Sequence, residues 1–150
     1  MASNRFSIAA MNKSALLATF LLASAGAHAQ VTVDKPWVRT TVAQQTTSVA
    51  YMTLTSAKGG KLVSASSPVA ASADVHEMKM DGDLMKMRPV DTLPLPAGQP
   101  VELKPNGLHI MLTGLKAPVK AGDVVPIRLV IEDAKGKRET VDVKAIAKQN

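Results

Sequence analysis

Apolar and polar residues alternate along most of the chain in short runs, each ended within a few positions by proline, glycine or a polar pair. Alternation with a period of two places one class of side chain on each face of a strand. On this rule Val31-Thr32-Val33, Val49-Ala50-Tyr51-Met52-Thr53-Leu54-Thr55, Lys61-Leu62-Val63-Ser64-Ala65-Ser66 and Val101-Glu102-Leu103 are predicted strands. So are Leu108-His109-Ile110-Met111-Leu112, residues 124–131 and Glu139-Thr140-Val141-Asp142-Val143-Lys144. Pro36 before Trp37 predicts a bend, residues 69–73 a link, and Pro89, Pro94, Pro96 and Pro100 an interrupted stretch. Gly59-Gly60, Asn106-Gly107 and Lys135-Gly136 are turn signals. No segment shows convincing helical periodicity, which predicts an all-β sandwich or barrel and excludes a parallel α/β sheet, since no crossover helices are available.

The densest pattern is the run from Val75 to Met87, in which Asp81-Gly82 separates two alternating segments. Read as the two central residues of a type I′ turn, Asp81-Gly82 sets Met80 opposite Asp83, Met78 opposite Met85, His76 opposite Met87, and Glu77 opposite Lys86. A register shifted by two would keep the faces and leave His76 diagonal to Met87. In both cases His76 and the methionines share a face.

Residues 1–29 have the plan of a secretory signal peptide. Arg5 and Lys13 precede the small or apolar run 15–25, which Thr19 and Ser24 alone interrupt, and Ala27-His28-Ala29 fits a cleavage site. The run is shorter than the roughly 20 residues of a membrane span, so no stable membrane insertion is expected after cleavage. Residues 30–150 then form one domain. The formal charge of +6 falls to +4 without Arg5 and Lys13. The remaining basic residues, among them Lys58, Lys61, Lys116, Lys120, Lys135, Lys137 and Arg138, are scattered and not interleaved with aromatics, which argues against a nucleic-acid surface. There is no cysteine, so thiolate catalysis, redox dithiols and a cysteine-ligated blue-copper centre are excluded.

Beyond residue 29 the only histidines are His76 and His109. His76 heads the methionine-bearing strand, and both histidines have a methionine two positions on, Met78 and Met111. Taken singly, Met52, Met78, Met80, Met85 and Met87 each read as core filler. Met52, with no histidine neighbour, keeps that reading, whereas the joint arrangement of the two His-x-Met pairs points instead to a soft metal. Thioethers with imidazoles favour Cu(I) over zinc, calcium or magnesium, because hard cations demand oxygen ligands. Acid should weaken such a site, since each imidazole must be neutral to bind.

The spacing His76, ten residues, Met87, twenty-one residues, His109, one residue, Met111 resembles the H-x10-M-x21-H-x-M signature of the periplasmic copper chaperones called PCu(A)C. The flanks are similar too, from Ala50-Tyr51-Met52-Thr53-Leu54 through Met85-Lys86-Met87-Arg88-Pro89-Val90 and Leu103-Lys104-Pro105-Asn106-Gly107 to Gly114-Leu115-Lys116. This resemblance implies a cupredoxin-like Greek-key β-sandwich that binds Cu(I) through His76, Met87, His109 and Met111. It implies a non-enzymatic metallochaperone of the periplasm that delivers copper to the CuA centre or related sites of an oxidase subunit, often alongside a Sco-type thiol protein. The resemblance leaves Cu(II) open as a second cargo. Some members hold it on a His/Met-rich tail, whereas this chain ends Lys144-Ala145-Ile146-Ala147-Lys148-Gln149-Asn150. Glu77 stands where some members have a further methionine. Met78 and Met85 are expected to face each other as a secondary soft pair or as packing, and Met80 to be exposed at the turn. Copper storage or tolerance is the alternative function, and an electron-transfer cupredoxin a weaker one.

Overall fold

The computed structural model describes residues 30–149, so the leader read at residues 1–29 lies outside the described residues. Ten strands follow one another: β1 (Val31–Arg39), β2 (Thr47–Ser56), β3 (Gly60–Ser66), β4 (Ala70–Asp81), β5 (Leu84–Pro89), β6 (Leu93–Leu95), β7 (Pro100–Leu103), β8 (Leu108–Leu115), β9 (Val124–Glu132) and β10 (Arg138–Lys148). Seven of them close a barrel in the order β4-β8-β2-β1-β10-β9-β3, with a pairing at Ala65 and Ala73 joining β3 back to β4. All of these pairings are antiparallel except β1 with β10, where Trp37, Val38 and Arg39 run parallel to Ile146, Ala147 and Lys148.

Period-two alternation fills the barrel. Ala50, Met52 and Leu54 of β2 point inward beside Ala73 and Val75 of β4, Ile110 and Leu112 of β8, and Ile127, Leu129 and Ile131 of β9. Burying each large aliphatic side chain contributes about 1.5–3 kcal/mol, which lets the domain do without disulfides. Met52, buried in this cluster, is a packing residue.

Every strand expected from the sequence is present, and four details differ. Pro36 lies inside β1 and does not end it: Lys35 has a φ of +50° and the register with β2 shifts between Asp34 and Trp37, so the proline sits at a bulge where a ladder N–H is dispensable. Residues 70–73 belong to β4 and pair with β8. Leu93-Pro94-Leu95 forms a short strand on the outer edge of β3, a position that tolerates proline, with both leucines buried. Residues 145–148 are not a tail, because they pair with β1 and with residues 123–125.

The β4–β5 hairpin stands off the barrel. β5 pairs only with β4, and all six of its residues are exposed. Its tight loop is Gly82-Asp83, flanked by the pair Asp81 and Leu84. Gly82 has a φ of +65° while Asp83 does not share a positive φ, the requirement of a II′ turn and not of the expected I′ turn. The pairing is therefore shifted by two: Met80 faces Met85, Met78 faces Met87, Glu77 faces Arg88, and His76 faces Pro89. The expected pairs Met78 with Met85, His76 with Met87 and Glu77 with Lys86 are corrected accordingly, while the faces are unchanged because two residues is one full period.

Candidate metal centre

β4 and β8 bring the two histidines together. His76 and His109 are direct partners across the ladder, with Ile110 and Val75 beside them turned to the core, so both imidazoles stand on the outer face of the wall. Their rings are stacked, 5.9 Å apart between centroids and inclined by 25°. Although outward, His109 is only 4% exposed. On β2, which pairs with β8 up to Ala50 and Ile110, the next residue is the buried Tyr51, which belongs to a second ring cluster. Trp37 packs on Tyr51 at 4.7 Å, Lys148 lies over Trp37 at 4.7 Å, and an Arg39 N–H donates to the Tyr51 hydroxyl at 3.2 Å.

One hydrogen bond fixes the tautomer of the neutral His109 ring. Its Nδ1 lies 3.0 Å from the carbonyl oxygen of Gly107, and because a carbonyl can only accept, Nδ1 carries the hydrogen. Nε2 is then the free lone pair, and it is buried without a hydrogen-bond partner among the described residues. Nδ1 of His76 is in the same condition. A buried polar atom left unpaired costs about 1–3 kcal/mol. Two such nitrogens on stacked neighbouring rings are donors that a metal ion could satisfy, and a carbonyl behind the other ring nitrogen is a common orienting partner of a ligating imidazole.

The Gly107 carbonyl does more than orient one ring. It also accepts the backbone N–H of Met78 at 3.2 Å, tying the hairpin to the turn that precedes His109. That turn is built on Asn106, whose φ of +63° is a left-handed conformation asparagine tolerates better than most residues. The Gly107 N–H closes it onto the Lys104 carbonyl at 3.0 Å.

The thioethers take different places. Met111, two residues after His109 on the same face, lies between Asp74 of β4 and Val49 of β2 and is half-buried. Met87 lies diagonal to His76, opposite the half-buried Met78, and is 47% exposed. His76, His109 and Met111 thus share one face of the β4–β8 pair, and Met87 stands one rung from His76 on a solvent-exposed edge strand. Met85 does not join Met78; it pairs with Met80 one rung nearer the tip. A cleft of about 280 Å³ opens between β3 and β4, and His76 lies at its rim with Asp74, Pro89 and Asp91. Among the described residues no three His, Cys, Asp or Glu side chains converge as a metal cluster, so any centre here depends on its sulfurs. Neutral nitrogen and thioether donors suit a soft monovalent ion and leave a hard divalent one poorly served.

Comparison with known proteins agrees with this architecture. Residues 31–144 match the model of the LpqE-like family. The chain belongs to that family. It is 31% identical over 121 residues to Lxx21020 of Leifsonia xyli subsp. xyli, spanning 80% of this chain and 73% of that one. The solution structure of CuI-DR1885 from Deinococcus radiodurans is 34% identical, superposes with a TM-score of 0.57, and covers 83% of this chain and 84% of its own. The apo PCuAC domain from PmoF1 superposes with a TM-score of 0.63 at 21% identity, covering 81% of this chain and 95% of its own, a likeness of fold alone. The expected membership of the PCuAC group and the all-β, cupredoxin-like architecture both stand.

What the sequence did not disclose is the surroundings of the histidines. The His76–His109 opposition is a matter of how β4 lies along β8, and the Gly107 carbonyl is a main-chain group without a side-chain signature. The Asn106-Gly107 turn signal was the one visible trace of the latter.

Proposed function

We propose that this protein is a periplasmic metallochaperone that carries one Cu(I), held by Nε2 of His109, an imidazole nitrogen of His76 and the thioether sulfurs of Met87 and Met111, and delivers it to a respiratory oxidase copper centre. The observation that carries this reading is the stacked pair of histidines with two buried, unpartnered nitrogens on the methionine-bearing face. The Cu(I)-bound structure of DR1885, a relative at 34% identity, supports the choice of ion. The placement of the ligands suits a carrier. His109 is buried and oriented, so it can retain the ion, whereas Met87 lies on an exposed edge strand from which an acceptor can displace it. A Sco-type thiol protein fits as an additional partner, since thiolate is a softer and stronger ligand for Cu(I) than thioether. Export rests on the leader read at residues 1–29 and on the lipoprotein naming of the LpqE-like family and of Lxx21020. The reading assigns no chemical reaction to the chain.

The test is a Cu(I) titration of residues 30–150 against a competing chelator, followed by presentation of the loaded protein to an apo oxidase CuA domain. One tightly bound ion, weakened at least about a hundredfold, or about 2.7 kcal/mol, by His76→Ala or Met111→Ala, is expected. Unchanged affinity in both variants rules out the site. Tight binding without transfer rules out delivery and leaves storage.

A further inference from the structure

The hairpin separates its side chains by chemistry. On one face lie Glu77, Lys79, Asp81, Lys86 and Arg88, and there the Asp81 carboxylate is engaged by the Lys86 ammonium at 2.6 Å and the Arg88 guanidinium at 3.7 Å. On the other face, continuous with His76, lie Met78, Met80, Met85 and Met87 in two successive rungs. The outer rung is Met80 directly opposite Met85, 57% and 48% exposed. Neither residue packs in the core, and neither is needed for the four-ligand centre. Two thioethers held opposite one another in water form a paired soft donor.

We propose that Met80 and Met85 form a second, weaker Cu(I) site at the hairpin tip, which accepts the ion and passes it inward over the Met78/Met87 rung to His76 and His109. The proposal rests on the four-residue reading for its destination. Its selectivity follows from the donors: two thioethers serve a hard ion poorly, and on the charged face the Asp81 carboxylate is already engaged by two cations. Its weakness follows from having only two neutral ligands, and a weak site is what an acceptance point requires. The rungs are two residues apart on each strand, or about 7 Å, a step that long, unbranched methionine side chains can bridge. Among the described residues β5 has no strand on its far side, and the half-exposed Met80 and Met85 are accessible to a donor.

The experiment uses residues 30–150 with ¹³C-labelled methionine methyl groups, titrated with Ag(I) as a redox-stable stand-in for Cu(I). The first equivalent is expected to shift Met87 and Met111, and a second, bound about tenfold more weakly or worse, to shift Met80 and Met85. The double variant Met80→Leu/Met85→Leu keeps the apolar bulk of the tip and the fold. It should lose the second equivalent, keep the first, and load from a Cu(I) chelate several-fold more slowly. Failure of Met80 and Met85 to respond, persistence of the second equivalent in the double variant, or an unchanged loading rate overturns the proposal. Response at Met80 and Met85 with none at Met111 instead removes the four-residue reading and leaves an isolated tip site, so the two failures are distinguishable.

Discussion

Two hairpins of this molecule have comparable sequences and opposite duties. In β9–β10 the register runs unbroken from Val124 and Ile146 to Glu132 and Arg138, every second residue of β9 from Val125 to Ile131 is buried, and the exposed positions are joined by Arg128 with Asp142 and Arg138 with Glu132. In β4–β5 the register is equally regular, yet β5 buries nothing, and beside Leu84 and Pro89 it turns the thioethers of Met85 and Met87 to water. Period-two alternation alone does not separate them. The difference lies in which apolar residue recurs. Branched Ile, Leu and Val can contribute only by being buried, whereas methionine also offers a lone pair, and exposing a pair of methionines is reasonable where something is to be bound.

The sharpest test of this division removes one side chain from each hairpin. Leu129→Ala should cost about 2–5 kcal/mol in urea unfolding by leaving a cavity in the barrel, without lowering Cu(I) affinity in the folded fraction. Met87→Leu should do the reverse: Cu(I) affinity falls about tenfold or more in chelator competition, and stability stays within about 0.5 kcal/mol. A large loss of stability in the second variant would erase the distinction between the hairpins.

A smaller effect sharpens the boundary between them. Gly82→Ala meets no atom within 4 Å, so its cost is the backbone penalty of a positive φ, about 1–2 kcal/mol, expressed as fraying of the tip. Hydrogen exchange should rise at Met80 and Met85 and not at Val141 or Val143.

The smallest effect belongs to the charges of the structural hairpin. The Glu132 carboxyl is held below the ordinary carboxylate range by its hydrogen bond from Arg138, partial desolvation opposing, with Lys61 adding to the lowering. A carboxylate so lowered stabilises the fold above its unfolded-state value and loses that contribution as the pH falls through its folded-state value. Glu132→Gln should therefore flatten the acid limb of stability slightly and change nothing at neutral pH beyond the loss of exposed ion pairs.

The face assignment of the hairpin was legible because it depends only on parity, and His76, Met78, Met80, Met85 and Met87 do share one face. The register was not, because Asp81-Gly82 and Gly82-Asp83 are both acceptable loops and one glycine can serve either. The strand character of Leu93-Pro94-Leu95 was hidden by its proline, which is permitted only because the strand is an edge, a fact about the sheet and not about the segment. Likewise the pairing of residues 146–148 with residues 37–39 is set by barrel closure and has no local signal. Opposition of His76 and His109 belongs to the same class: each residue was visible, but their meeting is a property of how β4 lies along β8.

The parallel ladder between β1 and β10 bears on when the protein can fold. The strand beginning at Val31 acquires its second neighbour only from residues 146–148, so a chain delivered from its N-terminus holds that edge of β1 open until β10 has appeared. Contacts of such long sequence separation make closure slow, about milliseconds to seconds for barrels of this kind. Until then the strip from Trp37 to Arg39 is a β edge open on one side, whereas the histidine pair, which needs only β4 and β8, does not wait for that closure.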